Sequence, residues 1–138
     1  MEAGTPLLSI PLEIIIGLES AKTARTAIMA EFNPDLAPVI VLALHILEEK
    51  VLGTQSKWHA FFNHLPKTLP GTLFLSKADL ESTTGSHIHS ITENRLQTVL
   101  KFYQAIKEPV TSKAVDPPLF TKDEFTYENF KWALGVVW

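Results

Sequence analysis

This chain should fold as a mainly α-helical bundle carrying a short β segment at its N-terminus. Three observations point there. The first is the stretch 36–52, LAPVIVLALHILEEKVL, in which His45 is the one polar residue between Val39 and Leu47. An apolar run of that kind is enclosed by protein, and its period alone fits strand or helix. The second is the 3.6-residue stripe of Ile91, Leu96, Val99, Leu100, Tyr103 and Ile106, which marks a long amphipathic helix. The third is that β-branched, strand-like patterning is confined to residues 5–16.

Each element has its local reason. Thr5 to Pro11 reads as a short strand stopped by proline, and Leu12 to Ile16 as a second one stopped by Gly17. Two strands this short do not make an independent sheet. Residues 19–32 are Ala-rich and read as a helix broken at Asn33-Pro34. In the central stretch the flanks favour helix: Asp35 as N-cap, Pro38 in the first turn, and Gly53 as a left-handed stop. This helix should be enclosed all round at its start, with Glu48, Glu49 and Lys50 reaching water at its end. Thr54 to Lys57 is a polar loop. Trp58 to Leu65 is a short helix ended by Pro66, and 67–71 a turn. Thr72 to Leu75 reads as extended. Ser76 caps a short helix from Lys77 to about Thr83, with Asp79 at its positive end. A long helix is expected from His89 to Lys107, stopped by Pro109, with a loop over 110–119. The last helix spans 126–138, with Thr126 as N-cap and Phe125 and Phe130 placed as a hydrophobic staple.

Composition narrows the function classes. A chain of 138 residues can bury one real core. Its net charge of -3, with scattered Lys and Arg, offers no footprint for nucleic acid. The lack of cysteine removes disulfides and thiolate chemistry, and fits an intracellular protein. The apolar runs are shorter than the ~20 residues that span a bilayer, so no membrane partner is expected. Met1-Glu2 lacks the positive start of a signal peptide. An apolar end at Val136-Val137-Trp138 and two unpaired strands at the start suggest a chain cut from something larger.

No residue set completes an active site. His87 and His89 diverge on a helix and have no local carboxylate or cysteine to complete a metal site. His59 and His64 flank a Trp/Phe-rich helix as partly exposed packing residues. His45 reads as a core histidine bonded to a neighbour. Glu48 and Glu49, as adjacent helical residues, diverge by about 100° and read as a solvated face. There is no Gly-rich phosphate loop and no nucleophile elbow. Trp132 and Trp138 lie on different sides of the last helix, so one of them should be exposed. Catalytic, cofactor-binding and metal residues are accordingly none.

The order of several short stretches carries a resemblance. They are Glu2 to Pro11; Glu19-Ser20-Ala21 with the apolar helix ending in Glu48-Glu49; Trp58-x-x-Phe61 through Leu65-Pro66; Leu73-Phe74, Asp79-Leu80 and Gly85-Ser86; and Phe125-Thr126-Tyr127-Glu128-Asn129-Phe130-Lys131-Trp132-Ala133. Together they resemble the middle of SET-domain methyltransferases of the Rubisco large-subunit lysine methyltransferase and actin-histidine methyltransferase type. The resemblance implies that residues 1–18 end the N-terminal SET part and that residues 19–138 are a helical insert, iSET. It implies a parent that moves a methyl group from S-adenosylmethionine to a protein side chain, most simply lysine, with a deprotonated amine held in line with the sulfonium methyl. The insert would wall the cleft and help choose the protein substrate. The family's cofactor residues fall outside this chain, and Asn63-His64 stands in the wrong place to serve as its Asn-His motif. The competing expectation is a stand-alone helical interaction module.

Overall fold

The computed structural model describes residues 4–29, 33, 35–112 and 116–138. Among them are six α-helices: α1 (Leu18–Ala21), α2 (Pro38–Leu52), α3 (His59–His64), α4 (Lys77–Ser82), α5 (His87–Thr111) and α6 (Tyr127–Val137). Short 3₁₀ turns lie at Leu12–Ile14, Arg25–Ala27, Gly53–Gln55 and Thr72–Phe74. No helix among the described residues is long and apolar enough to cross a membrane.

The central helix organises the bundle. α2 packs most extensively on α6, and also receives α1, the 25–27 turn and α3. α5 crosses α6 and the 72–74 turn. Ile40, Ala43, Leu44 and Leu47 of α2 meet Phe130, Ala133 and Leu134 of α6 in one buried cluster with Val99, Ile106 and Val110 of α5. Phe120, Phe125 and Phe130 continue that core as a run of rings, with centroids 5.6 Å apart at each step. Tyr103 stacks on Phe125 at 5.4 Å. Such offset pairs add to the area that the rings bury.

Local signals explain most boundaries. Ser76 Oγ accepts the Asp79 N–H and Thr126 Oγ1 the Asn129 N–H, the expected caps of α4 and α6. Gly53 ends α2 at φ +55°.

Other expectations are corrected. No strand occurs among the described residues. Residues 12–14 form a 3₁₀ turn, and Leu7, Leu8, Ile10, Leu12, Ile14 and Ile15 lie exposed. Without a third strand or a helical cover, this apolar stretch has no ladder to join. The 19–32 helix is a four-residue α1 followed by the 25–27 turn, because a carboxylate from α2 takes the N–H groups that a continuous helix would have used. Ala30, Glu31, Phe32 and Pro34 lie outside the described residues, as do Met1, Glu2 and Ala3. The N-cap of α2 is Ala37, not Asp35; Pro38 at the first position needs no N–H and makes the start tolerable without a side-chain cap. α2 is most deeply buried in its middle, from Ala43 to Glu49, rather than at its start. Thr72–Phe74 turns as 3₁₀ rather than extending, with Leu73 buried. α5 begins two residues earlier than expected and continues through Pro109 to Thr111. A proline so near the C-terminus removes one hydrogen bond. Burial of Val110, whose carbonyl accepts the Phe120 N–H, holds the last turn in place.

Candidate functional site

The polar centre of the molecule lies on one side of α2. His45, Glu48 and Glu49 are all buried there, with Glu48 only 8% and Glu49 9% exposed. This corrects the solvated-face reading of the two glutamates. Glu48 is occupied by backbone: its Oε1 accepts the Arg25 N–H and its Oε2 the Thr26 N–H, each at 3.1 Å. Those are the first two residues of the 25–27 turn, so the carboxylate acts as a long-range N-cap. The Arg25 guanidinium donates onward to the carbonyls of Pro117 and Pro118 at 2.8 and 3.1 Å.

His45 is the core histidine expected from the sequence. Its Nε2 lies 3.0 Å from Ser20 Oγ of α1. Its Nδ1 faces Glu49 Oε1 at 4.0 Å and has no hydrogen-bond partner among the described residues. Its ring meets Trp58 edge-on at 5.6 Å. Burial pushes the His45 pKa below the ordinary 6.5, and Glu49 and Glu48 only partly oppose this. Trp58 also donates its indole N–H to the Ile14 carbonyl at 2.9 Å. Ser20, His45, Glu49 and Trp58 line a cavity of about 270 Å³ with Thr23, Gln55 and Lys57.

The order hydroxyl, imidazole, carboxylate invites comparison with an acyl-transfer triad. The geometry does not support it. A separation of 4.0 Å exceeds a hydrogen bond. Ser20 Oγ also accepts the Gly17 N–H at 2.9 Å and lies 2.8 Å from the Gly17 carbonyl. The three groups clamp α1 onto α2; they do not form a nucleophile with a base.

The remaining sequence candidates are dispersed. His89 Nδ1 lies 2.9 Å from the Leu80 carbonyl and its Nε2 3.4 Å from Glu93, while His87 opens α5. No group of three or more His, Cys, Asp or Glu among the described residues is placed to hold a metal ion. Asn63 and His64 do not form a joint site: Asn63 Nδ2 pairs with His59 Nε2 at 2.8 Å, and His64 Nδ1 lies 2.6 Å from the Ala60 carbonyl. Trp132 is 6% and Trp138 55% exposed, as expected of rings on different sides of one helix. Trp138 borders a cavity of about 550 Å³ with Ile91, Asn94, Arg95 and Thr98.

In an alignment 137 positions long that covers 94% of the chain, it is 30% identical to the actin-histidine N-methyltransferase of Canis lupus familiaris. The chain resembles protein methyltransferases. The human actin-histidine N-methyltransferase is 29% identical over the same length. The ribosomal lysine N-methyltransferase set10 of Schizosaccharomyces pombe is 26% identical over 133 residues. The chain spans 22% of the length of each of these relatives. No protein-family model and no solved structure matches it.

Two of the polar groups that organise the centre of this methyltransferase-like chain, Glu48 and Ser20, went unpredicted in those roles. Glu48 and Ser20 are joined to their partners across 22 to 25 residues of sequence, and adjacency in the chain gave no sign of it.

Proposed function

We propose that this chain is a segment of a SET-domain, S-adenosylmethionine-dependent protein methyltransferase, with lysine as the methyl acceptor. The observation that carries the proposal is sequence similarity over 94% of the chain to enzymes named as methylating actin or ribosomal protein. Residues 1–18 are assigned to the end of the N-terminal SET part and 19–138 to the helical insert. A change in packing supports that boundary. Leu7, Leu8, Ile10, Leu12, Ile14, Ile15 and Leu18 are exposed, whereas Ala21 and Thr26 are buried against α2. In this reading the helical region walls the cleft that receives the protein substrate. Histidine is the second reading, favoured by the names of the 30% and 29% identical relatives.

The groove beside Trp138 does not fit the cofactor on the chemistry of its lining. It is lined by one cation and one ring, with no acidic side chain among its lining residues to meet the ribose hydroxyls or the sulfonium charge. A charged cofactor needs several convergent polar groups in a largely enclosed pocket. We therefore expect calorimetric titration with S-adenosylmethionine to show no binding by the 138-residue chain and saturable binding by a version extended through its flanking coding sequence. The extended protein should methylate a lysine-bearing protein substrate. Equal binding by the short chain would overturn the segment reading, and transfer only to histidine would select the second acceptor.

A further inference from the structure

Three lysines from three separate parts of the chain line one polar cavity of about 240 Å³. Lys50 comes from the end of α2, Lys67 from the loop after α3, and Lys131 from the start of α6; Thr68, Asn129 and Trp132 complete the wall with Phe74. Glu128 is the one carboxylate on that wall, and its Oε2 lies 2.8 Å from Lys131 Nζ. Lys50 and Lys67 have no acidic partner among the described residues. Lys50 Nζ sits instead 3.8 Å from the centre of the Trp132 ring. Burial pushes its pKa down.

The cavity is held in shape. Trp132 is buried and donates its indole N–H to the Pro66 carbonyl at 3.0 Å, which ties the Lys67 loop to α6. Ammonium groups arriving from several elements suit a compact tetrahedral anion, whose oxygens point in several directions, better than a planar carboxylate.

We propose that this cavity binds a phosphate dianion, either free inorganic phosphate or the end of a small phosphate monoester. Two unpaired ammoniums match the two charges, and Thr68 supplies a hydroxyl donor at the same wall. The site is independent of the methyltransferase reading.

Calorimetric titration of the chain with inorganic phosphate, and separately with phenyl phosphate, tests the proposal at an ionic strength held constant with chloride. Saturable one-site binding is expected in at least one arm, and the tighter arm identifies the source of the phosphoryl group. Lys67→Met, at an exposed position that the fold tolerates, should weaken binding about tenfold, and Lys50→Met by a similar factor. Lys101→Met, outside the cavity, should leave binding unchanged. Absence of saturation in both arms, or parental affinity in Lys67→Met, would overturn the proposal.

Discussion

Glu48 gives both carboxylate oxygens to backbone N–H groups that no helix would otherwise satisfy. Glu48→Gln keeps the shape but loses one acceptor and the charge. Its urea midpoint should fall with an unchanged slope, by an amount equivalent to about 1–3 kcal/mol. An unmoved midpoint would show that water satisfies Arg25 and Thr26 equally well. His45 gives a pH dependence of known sign. Burial lowers its folded pKa below 6.5, so between the two values the unfolded chain binds more protons. Its contribution to stability is therefore present above about pH 6.5 and is lost as the pH falls through the depressed folded value. His45→Gln should flatten the dependence of melting temperature on pH between 7 and 5 relative to the parent. A parental slope in that variant would place the dependence elsewhere. His45 itself was legible in the sequence, as the single polar residue of an apolar run. The burial of Glu48 was not, because a carboxylate beside Lys50 looks the same whether it meets water or a distant backbone.

Where helix ends are set by neighbouring residues, the sequence was a good guide, the expected Asp35 cap of α2 and the start of α5 apart. Ser76 and Thr126 cap as expected, Gly53 stops α2, and Phe125 and Phe130 meet as a staple. Where an end depends on burial, it was not: Val110 keeps α5 intact past a proline that would stop an exposed helix. Two substitutions separate these cases. Leu44 is fully buried in α2, and Leu44→Asp would place an unpaired charge in the core. That variant should be unfolded at room temperature by near-ultraviolet circular dichroism. A parental spectrum would show that α2 is not the centre of the fold. Gly135 lies inside α6, where alanine is ordinarily the better helix former. A Cβ there would stand 2.7 Å from the Phe74 ring and 2.9 Å from a Leu69 methyl. Two neighbours would have to move at once, so Gly135→Ala should lower stability by about 1 kcal/mol despite the helix gain. A rise in melting temperature would mean that the 69–74 segment yields freely.

At the scale of the whole molecule, the mainly α bundle was legible from periodicity, whereas the expected N-terminal strands do not occur among the described residues. Patterning shows that residues 5–16 want an apolar, extended environment; it does not show whether the described fold supplies one. Residues 5–10 lie exposed. Deleting them should move the thermal transition by less than about 1 kcal/mol. A larger loss would reveal packing beyond the Ile14–Trp58 tether. The lysine cavity was hidden for a related reason, since its cations stand far apart in the sequence and meet only once α2, the 66–69 loop and α6 have docked. The same docking has a cost in time. The principal interface joins α2 to α6, and roughly 75 residues separate the end of one from the start of the other. At ~5–20 residues per second, a ribosome needs roughly 4 to 15 s to cover that distance. For those seconds the face of Ile40, Leu44 and Leu47 has emerged without the helix that covers it. Nascent chains paused between the two helices should therefore be the species that molecular chaperones hold.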